Sequence, residues 1–370
     1  MPVRLAALVL WMLAMTTQDT AADPPSGDPR AAALLAPLAE ARLAPGAALA
    51  WREGAQTGHA VTGLRAAGRT AAIGRDDLWH IGSNTKSMTA TLVARLAARG
   101  VLGWEDTVDG VLGDTMAVHP GHAETTYAEL LDHRAGLPAN PGLLTRWRMQ
   151  GTDATRDAVA DRRAIAARLL ARAPREKGSY RYSNAGYILA GAMLEAQTGR
   201  DWRDLMREEV FAPLGMDSAG FGPPGTSGDT PDQPRGHRDG WLGLGLGGPR
   251  PVAPGPAADN IPALGPAGRV HLSAEDLLAY LAVHLREDPG FLPPGQWARL
   301  HRPAPGQDYV SGWQVQEDGR LVHNGSNTMW FAYMEIDPQS GRALAILANA
   351  APIREIAPMM RRIAETFRSR

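Results

Sequence analysis

The pattern of apolar and polar positions changes character several times along the chain. An apolar run, Leu5 to Met15, follows one basic residue, Arg4, and leads to small residues ending at Ala22. It is shorter than the ~20 residues that span a bilayer and has the layout of a secretory signal, residues 1–22. A Pro- and Gly-rich tether is expected over 23–30, then helical spacing over Ala31 to Leu43. Alternation predicts strands at Gly46 to Trp51 and Thr57 to Arg65 around the turn Arg52-Glu53-Gly54. Leu78 to Ile81 leads into an amphipathic helix whose core face is Met88, Leu92, Val93 and Leu96, ending at Gly100.

From about 105 to 220 the apolar spacing is mainly helical, in segments Tyr127 to Asp132, Asp157 to Ala173, Ala185 to Thr198 and Trp202 to Phe211. Residues 222–268 are dense in Gly and Pro and predict a long surface loop, ordered in parts. A Ser-capped helix is expected at Ser273 to His284. Four strand-like stretches follow, Tyr309 to Gln316, Arg320 to His323, Met329 to Ile336 and Arg342 to Asn349, joined by short turns as in an antiparallel meander. A last amphipathic helix, Ile353 to Phe367, covers a sheet face.

The expected fold is α+β. An antiparallel sheet flanked by helices is built from 31–104 and 270–370, and 105–269 forms a mostly helical subdomain carrying the 222–268 loop.

Composition narrows the function more than the fold. With 38 basic and 39 acidic residues the chain has a net charge of -1, no footprint for nucleic acid or an anionic membrane. There are no cysteines, which excludes disulfides and thiolate metal sites. Small substrates remain.

Among those 38 cations only Lys86 and Lys177 are lysines. A lysine kept in an arginine background suggests a task that needs proton loss, which a guanidinium cannot perform. Lys86 stands three residues after Ser83, in Ile81-Gly82-Ser83-Asn84-Thr85-Lys86. At a helix start the two side chains share a face, and the helix dipole disfavours an ammonium while its free N–H groups favour developing negative charge. One segment thus offers a nucleophile, a base and part of an oxyanion site. The bland alternative is a Ser cap beside a solvated lysine.

Two further elements join it. Tyr182-Ser183-Asn184 supplies a phenol able to relay protons and an amide able to hold a carbonyl or the lysine; otherwise Tyr182 is packing and Asn184 a helix cap. His323-Asn324-Gly325-Ser326 lies in a predicted strand, where the Ser326 N–H can act as a second oxyanion donor and Gly325 permits close approach. The glycines of 243–248 precede Pro249 and not a helix, which argues against a dinucleotide loop. Thr85 removes the second glycine of a nucleophile elbow. Metal-ligand spacing is absent, so His80, His237 and His301 are expected to be structural or solvated. The sequon Asn324-Gly325-Ser326 is read as incidental.

In this order the three elements resemble those of the serine β-lactamase and penicillin-binding protein superfamily, and within it the class C β-lactamase-like hydrolases. The likeness runs from about residue 33 to 367, with support from Thr126 to Pro138, Pro213-Leu214-Gly215-Met216 and Gly265 to Val270.

The resemblance implies an exported, periplasmic or secreted, serine hydrolase that forms an acyl-enzyme, with no cofactor and no metal. Ser83 would be the nucleophile, Lys86 its base and Tyr182 the proton relay. Asn184, His323, Gly325 and Ser326 would bind substrate, and the oxyanion hole would use the N–H groups of Ser83 and Ser326.

The chain departs from the family where class C enzymes have a Lys at position 323 and a hydroxyl residue at 324. His323 is mostly neutral at pH 7, so anion recognition should be weaker and an ester or D-amino acid peptide is favoured over a β-lactam. Lys177-Gly178 replaces a usual Pro-Gly. Trp330 stands where a Gly is common, and whether its large ring narrows the cleft is left open. A true β-lactamase and a non-catalytic ligand-binding relative are the alternatives, and oligomeric state is left open.

Overall fold

The structure is a computed structural model describing residues 24–238 and 248–369. The expected signal segment, residues 1–22, and the Gly243–Gly247 part of the glycine run lie outside the described residues.

One antiparallel sheet of eight strands organises the molecule. In spatial order its strands are Ser26–Gly27, Gln56–Gly63, Gly46–Glu53, Arg342–Ala348, Phe331–Asp337, Leu321–Ser326, Trp313–Val315 and Tyr309–Val310. The closing contact between the two chain ends is the pairing of Gly46–Glu53 with Arg342–Ala348, in register from Ala47 opposite Ala348 to Glu53 opposite Arg342. Both strands are apolar along almost their whole length because helices cover both faces of the sheet there. Helices Pro29–Glu40 and Ile353–Ser369 pack on one face through Leu34, Leu35, Leu38, Ile356, Met360 and Phe367. On the other lies Ala274–Arg286, capped by Ser273 as expected.

The expected tether is partly built into the fold. Ser26–Gly27 adds an edge strand against Ala60 and Val61, and Asp28 caps the helix starting at Pro29 by accepting the Ala31 N–H at 2.8 Å.

The helix Thr85–Ala98 is the largest departure from the expected pattern. It is buried on nearly every side, Thr85 through Ala94 included, and not on one face only. Its threonines make this tolerable: Thr89 donates to Pro266 O at 2.8 Å and Thr91 to Ser87 O at 2.9 Å, so the hydroxyls are satisfied inside the core.

The helical region comprises Ala158–Leu170, Asn184–Thr198 and Trp202–Met206 with several shorter helices. Parts of the expected 222–268 loop belong to the core. Ile261, Ala263 and Leu264 pack with Met149, Ile165 and Ile188, and Arg235 and His237 are buried. No helix among the described residues is long and apolar enough to cross a membrane.

Candidate active site

The Ser83 turn is a single 3-10 turn, Gly82–Asn84, running directly into the helix Thr85–Ala98. Gly82 has φ +51°, a left-handed conformation that side chains other than glycine's resist. A Cβ there would collide with Ser326 N, and one on Gly325 with Ile81 O. Two glycines thus let the nucleophile turn and the strand Leu321–Ser326 touch through bare backbone. The strand continues three residues past its expected end at His323, which puts the whole third element in the wall facing Ser83.

Lys86 is fully buried and surrounded by oxygen. Its Nζ lies 2.6 Å from Ala267 O, 2.7 Å from Asn184 Oδ1 and 3.1 Å from Ser83 Oγ. All three partners are uncharged, and burial pushes the ammonium well below its usual pKa. A neutral amine has two N–H bonds and one lone pair. The amide and the carbonyl can only accept, so the lone pair is left for the Ser83 hydroxyl.

Tyr182 donates to Ser83 Oγ at 2.7 Å, and burial pushes its phenol up, which keeps it a neutral donor and disfavours a phenolate base. The faces of Tyr182 and Tyr187 lie 4.8 and 5.4 Å from Lys86 Nζ, an environment that tolerates a transient ammonium.

Local structure explains why Asn184 is free for this contact. The cap of the helix Asn184–Thr198 is Ser183, whose Oγ accepts the Gly186 N–H at 3.0 Å. Asn184 Nδ2 in turn donates to Asn140 Oδ1 at 2.8 Å, which fixes the amide with its oxygen toward Lys86.

The family model described as Beta-lactamase matches residues 31–366. The chain belongs to the β-lactamase family. It is a serine hydrolase of that family. A curated relative, penicillin-binding protein 4 of Amycolatopsis lactamdurans, is 28% identical over 329 residues, covering 82% of this chain and 81% of that one. Among solved structures, D-amino acid amidase from Ochrobactrum anthropi SV3 superposes with a TM-score of 0.70 at 21% identity, covering 89% and 95% of the two chains. A class C β-lactamase from Rhodobacter sphaeroides gives 0.67 at 21%, covering 92% and 99%. These two likenesses concern the fold.

In this β-lactamase-family chain the His323 side chain, expected at the substrate, makes its contacts within the protein. It is buried, with Nδ1 3.2 Å from Asn84 Oδ1 and Nε2 3.4 Å from the Tyr309 hydroxyl. Burial lowers its pKa to about 3.

Two residues with no assigned role in the sequence reading complete the arrangement. His133 accepts the Ser183 N–H at Nδ1, 3.1 Å, so its Nε2 carries the hydrogen directed at Tyr309 OH, 3.1 Å away. The Tyr309 hydroxyl then donates to His323 Nε2, and His323 Nδ1–H to Asn84. This uncharged chain ties the tyrosine element, the third element and the nucleophile turn together. The His133 ring also lies 4.4 Å from that of Tyr182. The only sequence signal was the position of His133 within Thr126 to Pro138, a stretch noted for resemblance alone.

A second buried cluster lies behind Ser83. Gly82 N–H donates to His80 Nδ1 at 3.1 Å, and His80 Nε2 lies 2.9 Å from Asp259 Oδ1. Arg269 Nε contacts Asp259 at 2.9 Å and its Nη1 contacts Asp153 at 2.9 Å. Burial alone would raise the Asp259 carboxyl, but His80 and Arg269 outweigh it and hold the pKa at about 2.

The Trp330 ring belongs to the core. It is buried, meets Trp79 edge to face at 6.1 Å and packs its indole against Gly236.

Proposed function

We propose that this protein is an exported serine hydrolase acting through an acyl-enzyme on an ester or amide carbonyl, with esters and D-amino acid amides or peptides preferred to β-lactams. The observation that carries the reading is the buried Lys86 amine, held by three neutral oxygens with Ser83 Oγ as one of them.

Lys86 takes the Ser83 proton as Oγ attacks the carbonyl carbon. The N–H groups of Ser83 and Ser326 receive the oxyanion. Lys86, through Tyr182, returns the proton to the departing oxygen or nitrogen, and the same pair activates the water that releases the acyl group. Asn184 holds Lys86 and contacts substrate, and Gly325 gives the substrate access to the strand. His323 positions Asn84 and the third-element strand; being neutral and already bonded, it offers no cation for a substrate carboxylate. This favours a non-lactam substrate. A D-amino acid amidase shares the fold and a penicillin-binding protein is a relative in sequence, in keeping with that choice.

A fluorophosphonate probe followed by mass spectrometry should place one adduct on Ser83. A folded protein with no adduct would favour a non-catalytic, ligand-binding relative. Rates on p-nitrophenyl butyrate, a D-Ala-D-Ala peptide and nitrocefin rank the substrates, and a lead of orders of magnitude for nitrocefin would make the protein a true β-lactamase.

A further inference from the structure

A cavity of about 410 Å³ opens just beyond Ser326. Asn327, Thr328 and Met329 form one wall, continuing the strand that bears Ser326. Asn260 forms another, and its Nδ2 reaches Gly268 O, next to the Ala267 carbonyl that holds Lys86. The cavity therefore borders the segments that carry Ser326 and the Ala267 carbonyl. Two other cavities, lined around Arg52 and the helix Ala274–Arg286, include no residue from the segment that follows Ser326.

The charges lining the cavity are unbalanced. Arg146 and Arg238 reach it together with the neutral amides of Gln150, Asn260 and Asn327. Its one carboxylate, Asp259, has a side chain only 2% exposed and is already opposed by His80 and Arg269. Neither Arg146 nor Arg238 has a carboxylate partner among the described residues, whereas Arg30, Arg65, Arg162, Arg203 and Arg342 do; Arg238 donates to Ala257 O at 2.8 Å. Arg238 also stands directly across a two-strand ladder from Arg250, a like-charge pairing that is unfavourable unless an anion lies nearby.

Which half of the substrate occupies this space follows from the proton path. The leaving group must sit beside Tyr182 and Lys86 to be protonated, so the arm running past Ser326 is the acyl arm.

We propose that this cavity is the acyl subsite and that it selects acyl groups ending in a carboxylate, paired with the guanidinium groups of Arg146 and Arg238. The proposal rests on the acyl-enzyme reading above. It moves anion recognition from the third element, where a neutral His323 has lost it, to the far end of the acyl chain. Guanidinium and carboxylate suit one another through paired, charge-assisted hydrogen bonds.

The test compares kcat/KM for p-nitrophenyl hemisuccinate with that for p-nitrophenyl butyrate, two esters with the same leaving group and acyl chains of similar length. The hemisuccinate should be preferred by about tenfold, and the preference should shrink as salt is raised to several hundred millimolar. In the double variant Arg146→Gln with Arg238→Gln the ratio should fall to near one. A ratio near or below one in the native protein, or one that the double variant leaves in place, overturns the subsite. Turnover of the butyrate ester with no preference would sink this inference alone, whereas turnover of neither ester together with no adduct on Ser83 would sink the acyl-enzyme reading itself.

Discussion

On one side of the Ser83 turn, burial leaves Lys86, His133 and His323 favouring their neutral forms; on the other, Asp259 and Arg269 are equally buried and keep their charges. The two clusters are similar in depth and differ in partners. Lys86 meets an amide, a carbonyl and a hydroxyl, none of which compensates a positive charge fully. Asp259 meets a guanidinium and an imidazole within 3 Å. Desolvation acts on both sides, and opposite charge is supplied on only one. The catalytic side needs a group that can change protonation state during the reaction. The supporting side needs groups that do not.

The sharpest way to break this contrast is Lys86→Arg, which keeps the charge and removes the ability to lose it. Acylation should fall by roughly 10³-fold, read as the rate of fluorophosphonate labelling, while Lys177→Arg on the surface should change it little. Near-normal labelling of the Lys86 variant would show that Lys86 is not the base.

Asp259→Asn attacks the other side. It leaves Arg269 with Asp153 alone and should cost about 3 kcal/mol, seen as a lowered unfolding midpoint in urea. An unchanged midpoint would show that the ion pairs do not support the Ser83 turn.

Acid should separate the clusters in order. His323, with a folded pKa of about 3, binds a proton in the unfolded chain near pH 6.5 but not in the folded one, so its contribution is fully present above pH 6.5 and is lost between there and about 3. Asp259 is also depressed, to about 2, and its contribution is present above the ordinary carboxylate range near 4 and lost only below that. Replacing His323 with Gln should therefore flatten the decline of stability between pH 6.5 and 5, where Asp259→Asn leaves the slope alone. Thermal melts over that range would show it.

The smallest effect is expected from Tyr309→Phe, which cuts the His133 to His323 chain by one hydroxyl. About 1 kcal/mol of stability should be lost. Labelling of Ser83 should slow only a few-fold with KM unchanged, because every group touching the carbonyl remains. A changed KM would mean that Tyr309 contacts substrate directly.

Much of this was readable along the chain, for identifiable reasons. The Ser83 and Lys86 pair is three residues apart on one helix turn, so local geometry alone brings the two side chains together. The meander strands alternate clearly, and the Ser cap of the helix Ala274–Arg286 follows from nearest-neighbour chemistry. His133 and Tyr309 could not be found this way, since their partners lie 50 to 176 residues distant and each alone is an ordinary core aromatic. The His80 and Asp259 contact has the same character. The placement of Trp330 was not legible, because its place in the sequence next to the third element says nothing about which face of the wall its side chain occupies. The tight meeting of Gly82 with Ser326 was half visible, as two glycines near reactive serines whose mutual contact no spacing rule supplies.

By itself, then, the sequence determined that a serine and a lysine share the first turn of a helix, that this lysine is one of only two kept among arginines, and that strands from both chain ends are apolar enough to be covered. These are properties of residues within a turn or a strand, where covalent geometry sets the distance. Only the tertiary structure decided that Lys86 is fully buried among neutral oxygens, that Tyr182 donates to Ser83, that His323 is turned inward and that Arg146 and Arg238 border the same cavity. Each of those depends on which distant segments pack together. Protonation state and electrostatic complementarity are set by those neighbours and by the exclusion of water, and neither is encoded in any short stretch of chain.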